Sequence, residues 1–216
     1  MDLPEAASRF KDAMGYCDDV VAVHRRAGTG QPGRRSDETT LNRAVVVMAV
    51  AAWQVAVENL VVVALDAAVV HASANPPATL AAYVGTVRGN VKRFSTPNSL
   101  GSRELLRAIG FDPKPYWDSY SVPGRQAAGT LQDQLDGWLR VRHAIAHADH
   151  VLPPEIVLQH VRQTRTRTAS AAFVPPATPG LRLTDSESCV KFMRRIAKVT
   201  GDGFATELKL AKVEWA

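Results

Sequence analysis

The chain has 216 residues, 46% of them hydrophobic and 22% charged, which suits one domain with a sizeable core and excludes wholesale disorder. A net charge of +5 and a pI near 9.5 are compatible with an RNA partner but are shared by many proteins without one. Two cysteines, Cys17 and Cys189, stand far from any zinc-ligand spacing, which excludes a disulfide framework and leaves two reduced thiols.

Residues 4–27 read as a first helix. Pro4 suits its opening turn, and Phe10, Met14, Cys17, Val20, Val21 and Val23 supply an apolar face. Asp2 and Glu5 interrupt any apolar leader in Met1–Phe10, so a soluble cytoplasmic protein is expected. A loop follows at Gly28–Gly33, flanked by Arg25, Arg26, Arg34 and Arg35, which read as solvated charges. Residues 38–72 are the most apolar stretch, with Asp37 as the expected N-cap. Gln54, Glu58, Asn59 and Asp66 interrupt every central window, so the central helix of a bundle is expected rather than a membrane span.

Ser73–Pro77 breaks that helix, and a shorter one spans about 78–91, with Lys92 and Arg93 favourably placed at its end. Phe94–Asn98 is an extended connection, because Thr96 precedes Pro97. Asn98 or Ser99 caps the next helix, which stops at Gly110. Asp112–Gly124 reads as a one-turn element laying Tyr116 and Trp117 on the bundle. A long helix is expected from about Gln126 to Pro153–Pro154, and a further turn or two over Glu155–Val161. Arg162, Arg165 and Arg167 alternate with threonines, predicting an extended or hairpin-like excursion around 160–182. A last helix over 184–211 opens on a Thr184/Glu187 capping box, and Gly201 and Gly203 mark a possible break or kink. The fold class is all-α, a bundle of five to six helices.

The densest chemistry is Arg142-His143-Ala144-Ile145-Ala146-His147. Leu131, Leu135, Trp138, Arg142 and Ile145 recur at three- and four-residue spacing, so an arginine stands on an apolar line, where it needs a partner or ligand. His143 and His147 lie about 40° apart around a helix and project together. One permanent cation beside two imidazoles suits a phosphodiester: arginine neutralises phosphate and imidazole moves protons. Glu58, the only acid between Glu38 and Asp66, is the expected partner holding Arg142 in place.

The R-H-A-I-A-H stretch, preceded by the apolar helix, by Phe94-Ser95-Thr96-Pro97-Asn98, by Leu105–Phe111 and by Trp117, resembles the HEPN superfamily. The order is closest to the RiboL-PSP-HEPN subgroup and covers roughly residues 38–210, with 1–35 as an added helix and loop. His143 stands where that family commonly has asparagine, and Asp149 stands where one variant has a modified tyrosine. The resemblance implies a metal-independent endoribonuclease without a cofactor. The 2′-hydroxyl attacks the adjacent phosphorus and leaves a 2′,3′-cyclic phosphate and a 5′-hydroxyl. It further implies a homodimer with its cleft at the two-fold interface, and a toxin or defence role with an antitoxin or operon partner. Within that reading Arg142 clamps phosphate, His147 transfers protons, His143 is a polar positioner able to share that transfer, and Arg162, Arg165 and Arg167 contact the RNA backbone.

Two other readings stay open. One takes His143, His147 and His150 with Asp149 as metal ligands, although the first and third histidines lie about 10 Å apart along a helix, too far to share one ion easily. A domain of the same shape without catalysis, binding nucleic acid or protein, is the other.

Overall fold

The computed structural model describes residues 1–27, 36–72, 77–120, 129–149, 151–159, 161 and 180–215. Among them stand seven helices and no strand, an all-α bundle. They are α1 (Leu3–Ala27), α2 (Ser36–His71), α3 (Ala78–Arg93), α4 (Ser99–Arg107), α5 (Lys114–Ser119), α6 (Leu131–Ala146) and α7 (Leu183–Glu207).

The long helix α2 is the axis of the bundle and touches α1, α3, α4, α6 and α7. By length and composition it could cross a membrane, yet 61% of its most apolar window is buried inside the protein. Val45, Val46, Trp53, Val57, Leu60 and Val61 are all nearly inaccessible. A helix apolar on most of its circumference is stable in water only when other helices wrap it. Those wrapping helices carry ordinary one-sided faces: Phe10 and Met14 from α1, Leu106 from α4, Leu135 and Trp138 from α6, Met193 and Ile196 from α7.

Several element boundaries differ from the sequence expectation. Five to six helices were expected and seven are described, because the one-turn element at Lys114–Ser119 counts as a helix beside the six longer ones. Helix α2 begins at Ser36, so Asp37 lies inside its first turn. The motif helix begins at Leu131, where Thr130 and Asp133 form a reciprocal capping box, and ends at Ala146 rather than at the prolines. It stops because Ala148 turns left-handed (φ 57°). The Ala148 and Asp149 amides then bond back to Ile145 and Ala144 in a Schellman motif. Helix α7 ends in the same way at Lys209 (φ 55°), short of residue 211. At its start the capping carboxylate is Asp185, which accepts from the Arg182 and Gln159 amides, while Thr184 donates to Gln159. The excursion expected around 160–182 lies almost wholly outside the described residues.

Gly201 and Gly203 do not break α7. Each removes a side chain where an aromatic ring approaches the helix too closely for a Cβ: Trp215 at Gly201 and Tyr116 at Gly203.

Candidate functional site

An open cleft of about 560 Å³ lies between the connection 94–98 and α6 from Asp136 onward, and is lined also by Asp149, Val151 and Pro153. Each wall is fixed by hydrogen bonds that the sequence encodes. Pro97 makes the connection extended, and its chain is then held at three points. The Gln54 amide donates to the Phe94 carbonyl (2.8 Å), and the Trp53 indole donates to the Pro97 carbonyl (2.9 Å). The Ser99 amide and hydroxyl both donate to Asp136 of α6, at 2.8 and 2.7 Å. Asn98 caps α4 by accepting from the Gly101 amide (2.7 Å), as expected for that position. Between these anchors Ser95 and Thr96 are exposed and face the cleft.

Helix α6 supplies the charged wall. Its buried stripe continues from Trp138 through Val141 and Ala144, one residue round from Arg142. Arg142 therefore sits half-buried at the edge of the core, lining the cleft, and not on the apolar line itself. Arg140 and Asp136 also line the cleft, but both are committed. Arg140 forks onto Glu155 (2.5 and 2.8 Å), which raises its pKa above the usual guanidinium value and cancels its charge locally. Asp136 uses both oxygens on Ser99. Arg142, His143 and Asp149 remain as the cleft's titratable or charged side chains with no hydrogen-bonding or ion-pair partner among the described residues.

The two motif histidines come together: their ring centroids are 4.2 Å apart at 55°. His143 lines the cleft, whereas His147, the C-cap of α6, is exposed just beyond its lining. The expected contact of Glu58 with Arg142 is not made. Glu58 accepts from Gln54, one turn earlier on α2 (2.9 Å), and does not reach the cleft. The buried side of α2 is occupied by apolar packing, so its carboxylate stays half-exposed beside a neutral amide. Arg162, Arg165, Arg167 and His150 lie outside the described residues. Among the described residues, no group of three or more His, Cys, Asp or Glu side chains is arranged to hold a metal ion.

Sequence reading missed Asp136 and Arg140 as cleft residues, and named Asp149 only as a metal-ligand candidate beside the histidines. The signal was present: Asp136, Arg140 and His143 stand at i, i+4 and i+7, a polar stripe beside the apolar one. It is easily passed over as a solvated face. No family model, curated protein or solved structure matches the chain, so the cleft is read from its own residues.

Proposed function

We propose that the chain is a metal-independent endoribonuclease of the HEPN kind, working as a homodimer on RNA. The observation that carries this reading is the juxtaposition in one cleft of an uncommitted guanidinium, Arg142, with the imidazole of His143, itself in ring contact with His147. Phosphodiester transfer needs a cation to neutralise the phosphoryl oxygens and groups to move two protons. One imidazole takes the proton of a 2′-hydroxyl, and O2′ bonds to phosphorus. The P–O5′ bond breaks, and the departing 5′ oxygen takes a proton from a second imidazole. Arg142 stabilises the charge that gathers on the phosphoryl oxygens meanwhile.

The exposed end of α6, with His147 outside the lining of its own cleft, suits a composite site in which a second copy's α6 end completes the set. In this reading the protein is a cytoplasmic toxin or defence effector with an antitoxin or operon partner.

The test is cleavage of mixed RNA in excess chelator by wild type, His147→Ala and Arg142→Ala, with product ends analysed. Cutting that resists chelation, leaves cyclic phosphate and is lost in both variants is expected. Cutting that needs an added divalent ion would overturn the mechanism, and a wild type that binds RNA without cutting it would leave a binding module.

A further inference from the structure

The cleft is larger than a phosphate needs, and its uncommitted groups are of opposite kinds. Arg142 supplies a permanent cation, with His143 beside it, while Asp149 offers an exposed carboxylate whose oxygens have no partner among the described residues. Of the other charged linings, Arg140 is paired with Glu155, while Asp136 keeps its charge and has both oxygens occupied by Ser99. A polyanion bound in this cleft is therefore oriented. Its phosphate is drawn to Arg142 and repelled from Asp149, so what meets Asp149 is a neutral group with hydrogen-bond donors.

We infer that this group is a guanine base of single-stranded RNA, and that Asp149 is the specificity-determining residue. The inference rests on the ribonuclease reading and adds which nucleotide the cleft takes. On its Watson–Crick edge guanine presents two adjacent donors, N1–H and N2–H, which match the two oxygens of one carboxylate. Adenine and cytosine present one amino group beside a ring-nitrogen acceptor that a carboxylate repels. Uracil presents one N–H between two carbonyls. Base edges of unpaired RNA are open to this kind of readout.

The rest of the cleft fits the same occupant. Leu139, Val151 and Pro153 give an apolar surface for a base face. Opposite stand Ser95 and Thr96, whose hydroxyls have no hydrogen-bonding partner among the described residues and can serve the O6 and N7 acceptors. The anchors from Trp53, Gln54 and Asp136 hold that wall before any ligand arrives, so little ordering is left to the moment of binding.

Two measurements separate this inference from the reading beneath it. The first is binding of the four nucleoside 3′-monophosphates to the whole protein, wild type and Asp149→Asn, by calorimetry. The second is mapping of cut sites on an unstructured RNA containing all sixteen dinucleotide steps. Guanosine 3′-monophosphate is expected to bind most tightly, and Asp149→Asn to weaken it about ten- to a hundredfold, the usual worth of one bidentate base contact. Cut sites should cluster beside guanosine in wild type and lose that preference in the variant. Selective binding without any cutting would keep the base assignment and remove the nuclease. Cutting with equal binding of all four nucleotides, or a guanine preference that Asp149→Asn leaves intact, would overturn the inference while the nuclease stands. Inorganic phosphate competing equally with all four would likewise overturn it, by showing that only the phosphate is held.

Discussion

Replacing Gly201 with alanine sets two well-known effects against each other. In a solvent-facing helix the change stabilises by ~0.5–1 kcal/mol, because glycine loses more backbone freedom on folding. Here a Cβ at position 201 would stand 2.2 Å from two atoms of the Trp215 indole and 2.5 Å from a third. Ordinary carbon contacts lie at about 3.5–4.0 Å, so the ring must retreat by roughly 1.5 Å. It has no room for this: Trp215 is 1% exposed and packs against Phe10, with ring centroids 6.0 Å apart. Overpacking of a filled core costs about 1–3 kcal/mol. Expelling the indole altogether forfeits burial of ~200 Å², or about 5 kcal/mol as an upper bound. The steric cost wins, and Gly201→Ala should lower stability by roughly 1–4 kcal/mol, which in a chain of 216 residues is a fall in Tm of about 2–16 °C. Thermal unfolding followed by circular dichroism measures it. The same substitution in a Trp215→Ala background should change sign and stabilise by ~0.5–1 kcal/mol, since the obstacle is gone. A wild-type background that tolerates or gains from Gly201→Ala would refute the placement of Trp215 on α7.

Ala148→Gly should stabilise by a few tenths to about 1 kcal/mol in denaturant melts, because relief of the left-handed penalty at φ 57° exceeds the entropic cost of glycine. Loss of stability there would argue against the Schellman end of α6. Asn98→Ala removes the cap of α4 and should destabilise by ~1 kcal/mol on the same assay. The Arg103 guanidinium forks onto Asp112 and holds its carboxyl down at about 2. Its folded pKa is lowered, so this contribution is full above the ordinary carboxylate value near 4 and fades as pH falls through about 2. Arg103→Met should bring the Asp112 titration, followed by NMR, back toward 4. Burial pushes the Cys17 thiol up to about 11 and raises Cys189 as well, so neither should react with a thiol reagent at neutral pH until the chain is unfolded.

Much of the bundle was legible in residue spacing. Helix α1, helix α2, the Pro97 connection and the Asn98 cap follow from local rules that hold whatever packs around them. The end of α6 was not legible, because the left-handed turn falls on Ala148, a residue with no preference for it. The two prolines five residues later drew the expected boundary too far. The pairing of Glu58 with Arg142 failed for a related reason: spacing predicts which side of its own helix a carboxylate occupies, not which neighbouring helix that side meets. Glu58 found a partner one turn away on α2 instead. Asp136 was passed over because its two bonds reach Ser99, thirty-seven residues earlier, and no local pattern encodes that meeting.

The polar atoms along the apolar helix α2 acquire a meaning through the cleft. An amide at position 54 and an indole N–H at position 53 are poor choices for a core read by composition alone, since each needs a partner once buried. Both donate to backbone carbonyls of the same connection, at Phe94 and Pro97. The extended segment cannot satisfy those carbonyls itself, because Pro97 and the non-helical geometry leave it without internal bonds. The core helix and the cleft wall therefore satisfy each other. Trp53→Phe, which keeps the ring in the core and deletes only the N–H, should leave the bundle folded while loosening the wall that carries Ser95 and Thr96. Faster amide hydrogen exchange confined to residues 94–98 would be its signature, and uniform loss of protection across α2 would show that the indole serves only the core.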